Sequence, residues 1–129
     1  MTGCLLDTNV VLIALAEPDR LTSAVRSAVS RGPNVMSAVT FWEVTLKASR
    51  GKLDVGDPRA WWARALGDLA ATTLPLRPEH VAELHSLPDH HRDPFDRALI
   101  AQAVSEDLAL VTTDRELSRY ASSRLRVIR

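Results

Sequence analysis

The chain predicts an α/β fold, a mostly parallel central β-sheet flanked by α-helices on both faces, on three observations. Short apolar runs alternate along its 129 residues with stretches of helical period. Asp-Pro pairs and single glycines punctuate the helix starts and stops, and no repeat, linker or low-complexity stretch interrupts the alternation. The composition, 46% apolar and 25% charged, suits one buried core, so residues 1–129 are expected to form one domain.

Taken in order, Gly3–Leu6 reads as a buried strand, and Asp7-Thr8-Asn9 turns the chain into a helix over Val10–Ala16 that Pro18 ends. Leu21–Val29 has apolar residues at helical spacing, and Gly32-Pro33 breaks it. Val35-Met36 makes a second short strand, after which Ser37 or Thr40 opens a helix through Arg50 that Gly51 closes. Asp57-Pro58 starts a helix carrying Trp61, Trp62, Leu66 and Leu69, with Asp at the cap and Pro in the first turn. Thr72–Leu76 reads as a brief extended segment, and Pro78 opens a helix to about Leu84. Ser86–Arg92 is polar, contains Pro88 and reads as a loop. Asp93-Pro94 repeats the Asp-Pro start and opens an amphipathic helix over Pro94–Glu106. Leu108–Val111 is an apolar strand, Thr112-Thr113-Asp114 leads into a short helix to Tyr120, and Arg126–Ile128 makes a last strand.

Charge and cysteine content narrow the function classes. Lys plus Arg and Asp plus Glu number 16 each, so a protein that grips nucleic acid by net charge alone is excluded. Contact with RNA would then need a local basic patch, bound metal or a partner chain. The single cysteine, Cys4, permits no internal disulfide and reads as a small buried hydrophobe. The longest apolar run, Val10–Ala16, is far short of the ~20 residues that span a bilayer. No membrane role and a cytoplasmic location are therefore expected.

In a parallel sheet, ligands bind beyond the carboxyl ends of the strands. Asp7 directly follows the first strand and Asp114 follows the strand ending at Val111. Glu43 lies early in the helix after Val35-Met36, and Asp93 and Asp96 open the helix at Pro94 with i, i+3 spacing. Each has a local explanation. Asp7, Asp93 and Asp114 suit helix caps, Thr40–Glu43 has the form of a capping box, and Asp96 suits the positive end of a helix dipole. Together, carboxylates converging on one edge repel by up to ~4 kcal/mol per close pair, against ~0.3–1 kcal/mol from a helix dipole. A hard divalent cation offsets more, and oxygen-only ligation favours magnesium or manganese over zinc. Such a site activates water against a phosphodiester.

The same residues carry a family resemblance. Leu5-Leu6-Asp7-Thr8-Asn9-Val10 resembles the N-terminal motif of PIN domains, and Ser37 through Glu43 the second motif. His91-Arg92-Asp93-Pro94-Phe95-Asp96-Arg97-Ala98-Leu99-Ile100-Ala101-Gln102-Ala103 is similar to one branch of VapC-type toxins, and Leu110-Val111-Thr112-Thr113-Asp114 resembles the fourth motif. The resemblance covers nearly the whole chain. It implies a PIN-like fold and a metal-dependent endoribonuclease, the toxin of a type II toxin–antitoxin pair and usually a homodimer. The implied partner is a VapB-like antitoxin, a small DNA-binding protein whose C-terminal segment occupies the active-site groove. Contact with DNA would be only indirect, through that antitoxin. It further implies Asp7, Glu43, Asp96 and Asp114 as catalytic and metal-site acids, Asp93 as a fifth ligand, and Thr112 as a supporting hydroxyl. The cofactor implied is Mg2+, with Mn2+ as substitute, and a Mg-activated water would leave 5′-phosphate and 3′-hydroxyl ends.

Around the acids, Arg97, Arg115 and Lys47 are candidate phosphate contacts, with Arg92 nearby; solvated residues or partners of the carboxylates are the alternatives. His90-His91 has no second His or Cys at metal-ligand spacing, and a loop role is favoured. Trp61 and Trp62 cannot both face inward on one helix. A phosphatase with an Asp nucleophile at Asp7 would need a second Asp where Asn9 stands. A non-catalytic PIN-like module that binds RNA or protein is the remaining alternative.

Overall fold

The computed structural model describes residues 3–129. Its centre is a five-stranded sheet of β1 (Cys4–Leu6), β2 (Asn34–Ser37), β3 (Ala71–Leu74), β4 (Ala109–Val111) and β5 (Val127–Ile128), in the order β3-β2-β1-β4-β5. Every pairing is parallel, with Cys4 opposite both Asn34 and Ala109. The helices are α1 (Thr8–Ala16), α2 (Ser23–Arg31), α3 (Ala38–Ser49), α4 (Pro58–Asp68), α5 (Pro78–Glu83) and α6 (Pro94–Glu106). Short 3₁₀ helices cover Pro18–Arg20, Leu84–Ser86 and Arg115–Tyr120.

Strand alternation divides the core into two layers. Cys4, Leu6, Met36, Ala109 and Val111 face one side, where they meet Val10, Val11, Val25, Trp61 and Ala65 from α1, α2 and α4. Leu5 and Leu110 face the other, against Leu99, Ile100 and Ala103 of α6 and Leu117 and Tyr120 of the last 3₁₀ helix. Both faces of β1 and β4 are covered, which is why these segments read as continuous apolar runs rather than alternating ones. Trp61 is 4% exposed, while Trp62, its neighbour on α4, lies half-buried and stacked on Phe41 at 4.8 Å.

Element ends follow local capping. Asp7 caps α1, so that helix begins at Thr8, two residues before the predicted start. Thr22 caps α2 in the same way. For α3 the cap is Ser37, whose hydroxyl accepts the Val39 N–H at 2.9 Å. The predicted capping box at Thr40–Glu43 therefore does not form: Thr40 is already inside the helix and Glu43 is turned toward α1. Gly51, at φ 69°, closes α3 and lets the Lys52 N–H reach the Lys47 carbonyl at 2.9 Å.

The strand order positions the site. The chain winds outward from β1 to β2 and β3, then crosses back to β4 on the other side of β1. The crevice at the carboxyl ends of β1 and β4 is thus the point where the winding reverses, where parallel sheets bind ligands.

Candidate active site

Asp7 enters this crevice as the residue after β1 and is 3% exposed. Its two oxygens have different tasks. Oδ1 accepts the Val10 N–H at 2.8 Å, capping α1, and Oδ2 accepts the hydroxyl of Thr112, just beyond β4. Each carboxylate oxygen keeps a second lone pair, so capping leaves room for a ligand. Thr112 in turn accepts the Asp114 N–H at 2.9 Å, which fixes the start of the 3₁₀ helix that Asp114 caps through Glu116.

From α3, Glu43 reaches the same edge at 5% exposure. The Thr8 hydroxyl donates to its Oε1 at 2.7 Å, and Lys47, one turn along α3, donates to Oε2 at 2.7 Å. Asp93 caps α6, its Oδ1 accepting the N–H groups of Phe95 at 2.8 Å and Asp96 at 3.2 Å. On the first turn of that helix, Asp96 places Oδ2 2.9 Å from His91 Nε2, which is also 3.9 Å from Asp114 Oδ2. Trp42, 59% exposed, packs edge-on against Phe95 at 4.8 Å beside these acids.

The electrostatics register the convergence. Burial pushes the Asp7 carboxyl from its ordinary 3.8 up to about 6, against the Thr112 and Val10 hydrogen bonds, and the charges of Asp96 and Asp114 push the same way. Asp96 also rises to about 6, through burial and then the charge of Asp93, with Glu43 adding to it and the His91 bond opposing. Burial, with neighbouring negative charge behind it, thus keeps Asp7 and Asp96 protonated up to about pH 6, and a bound divalent cation would favour their ionised forms. The donor atoms of His91, Asp96 and Asp114 all lie within 4.8 Å of one another, close enough to share one ion. The residues fit such a cation.

The family model described as PIN domain matches residues 4–123. The chain belongs to the PIN-domain family. Over 126 residues, 96% of each chain, it is 29% identical to "Ribonuclease VapC22" of Mycobacterium tuberculosis. Among solved structures, DNA-bound VapBC from Salmonella typhimurium superposes with a TM-score of 0.71 at 18% identity, covering 98% of this chain and 97% of the other. VapBC2 from Rickettsia felis, bound to a promoter DNA fragment, gives 0.69 at 14% identity over 96% of both chains. At these identities the structures speak for the fold alone.

Of the basic residues expected near this PIN-domain site, Arg97 is engaged within the chain. Its guanidinium donates to the carbonyls of Pro88, at 2.9 Å, and of His91 and Leu84, and to the Tyr120 hydroxyl at 3.2 Å. The half-buried side chain is a strut for the loop before α6. Lys47 balances Glu43, while Arg115 and Arg92 are exposed. His91, for which the sequence favours a loop role, does lie in the loop before α6, and it faces Asp96 and Asp114 from there. It stands two residues before the Asp93 cap, so it folds back over the first turn of α6, and that position relative to an Asp-Pro start was the available signal for this placement.

Proposed function

We propose that this PIN-domain protein is a metal-dependent endoribonuclease and the toxin of a type II toxin–antitoxin pair. The observation that carries this reading is the meeting of Asp7, Glu43, Asp96 and Asp114 at the crevice, with Asp7 and Asp96 driven up to about 6. Bound Mg2+, or Mn2+ in its place, would activate water and neutralise charge on an RNA phosphodiester. Asp7 and Asp96 would hold the ion directly. Glu43 and Asp114 would ligate it or support the site around it, with Thr8 and Lys47 fixing the two oxygens of Glu43. Thr112 fixes the free edge of Asp7 against Asp114. Asp93 is foremost the α6 cap, and its negative charge adds to the field on Asp96.

Cleavage by in-line attack would leave 5′-phosphate and 3′-hydroxyl ends. Phosphate contacts fall to Lys47, Arg92 and Arg115, the cations nearest the acids. The ribonuclease name of the mycobacterial relative and the VapBC structures support an RNA substrate and a VapB-like antitoxin partner. A homodimer in the cytoplasm is part of the same reading; among the described residues no helix is long and apolar enough to cross a membrane.

The test is cleavage of mixed RNAs by purified protein with magnesium, beside EDTA and Asp96→Asn. Magnesium-dependent cutting that the substitution removes is the expected result. Firm RNA binding without metal-dependent cutting would replace this reading with a non-catalytic PIN-like module.

A further inference from the structure

Oxygen donors alone do not account for the arrangement at the mouth of α6. His91 Nε2 is 2.9 Å from Asp96 Oδ2 and 3.9 Å from Asp114 Oδ2, standing between acids contributed by α6 and by the turn after β4. Opposite ligands on an ion with bonds near 2.1 Å are about 4.2 Å apart. The three donor atoms fall within 4.8 Å of one another, so one ion joins them with shifts of a few tenths of an ångström. The histidine is also held in place. Arg97 donates to the His91 carbonyl and to Pro88, and the His90 N–H donates to the Tyr120 hydroxyl at 3.1 Å, anchoring the backbone on both sides of the ring.

We propose that His91 is a nitrogen ligand of the divalent ion, which makes the site selective for Mn2+ and similar transition ions over Mg2+. This rests on the metal-site reading above and adds a donor of a different kind to it. Mg2+ takes oxygen ligands and sheds its waters reluctantly, whereas imidazole suits first-row transition metals. The ring's contribution therefore falls mainly on Mn2+ affinity.

The experiment uses the full chain and Mn2+ alone as probe, read by pulsed electron paramagnetic resonance and by titration. Wild-type protein should show histidine ¹⁴N modulation on bound Mn2+, lost in His91→Ala and kept in His90→Ala. Mn2+ affinity should fall at least about tenfold in His91→Ala, since losing even a residue that only supports a metal ligand costs that much, with Mg2+ affinity changed less than about twofold. Bound Mn2+ with an oxygen-only spectrum, or ¹⁴N modulation that survives in His91→Ala, overturns the nitrogen ligand while leaving the acidic site standing. Wild-type protein that binds no Mn2+ overturns the acidic metal site and this inference together. An oxygen-only wild-type spectrum overturns the nitrogen ligand even if His91→Ala folds poorly, and His91→Gln then serves as the second variant for assigning a ¹⁴N signal.

Discussion

At the scale of residues, Asp7 and Asp93 each serve as a helix cap and as part of an acidic cluster, and substitutions separate the two roles. Asn caps a helix as well as Asp does, so Asp93→Asn should leave the melting temperature within about 1 °C. Cleavage by that variant is expected within about threefold of wild type, since the oxygen that caps α6 remains available. Asp96→Asn makes the opposite pattern, with cleavage down at least ~100-fold and the metal-free protein as stable or more so, because a repelling charge is gone. A destabilised but active Asp96→Asn would mean that Asp96 only complements the helix dipole. The pH dependence has a definite sign. Asp7 and Asp96 bind protons more tightly folded than unfolded, so their contribution to stability is lost as pH climbs from about 4 to about 6. For buried Asp7 that loss is about 3 kcal/mol, and for Asp96, which is partly screened by solvent, it is smaller. Melts at pH 5 and 7.5 with and without magnesium should therefore show the larger metal stabilisation at pH 7.5. Equal stabilisation at both would remove the repulsion argument.

At the scale of elements, the site depends on α3 and α6 keeping a fixed relation. Ser37 caps α3 and also donates its hydroxyl to Gln102 Oε1 on α6, while Gln102 donates to the Pro75 carbonyl at 3.2 Å. All of Ser37 and Gln102 is buried, so Ser37→Ala should cost about 2 kcal/mol, from a lost cap and an unpaired acceptor. Chemical denaturation measures it, and a cost under ~0.5 kcal/mol would show that the two helices are set by apolar packing alone. The loop before α6 is the second such element. Arg97→Ala should speed hydrogen exchange across 84–91 and leave the salt dependence of RNA binding unchanged. A flatter salt dependence would restore the phosphate role first expected for Arg97. These element boundaries were mostly legible beforehand, because Asp-Pro starts and Gly51 act within a few residues of themselves. For α3 the sequence leaves Ser37 and Thr40 both open as the start, because each pattern is local; Ser37, three residues earlier, takes the cap, and the capping box at Thr40–Glu43 does not form.

At the scale of the whole molecule, zero net charge limits how the protein would grip the RNA of the proposed function. With Lys47, Arg92 and Arg115 as its phosphate contacts, the logarithm of affinity for single-stranded RNA should fall with log salt at a slope near about −2. A slope steeper than about −5 would require a wider basic surface, such as a dimer or a partner supplies. The alternation of short apolar runs with helices, the covered sheet and the identity of the acids were all present in the sequence, since periodicity and side-chain chemistry are properties of neighbouring residues. Only the tertiary structure decided the order β3-β2-β1-β4-β5, because runs buried on both faces are compatible with several strand orders. That order puts residues 7, 43, 96, 112 and 114 at one crevice. It also brought Arg97 to Tyr120 and His91 toward Asp96 and Asp114, through contacts with Tyr120 and the loop carbonyls that no local spacing encodes.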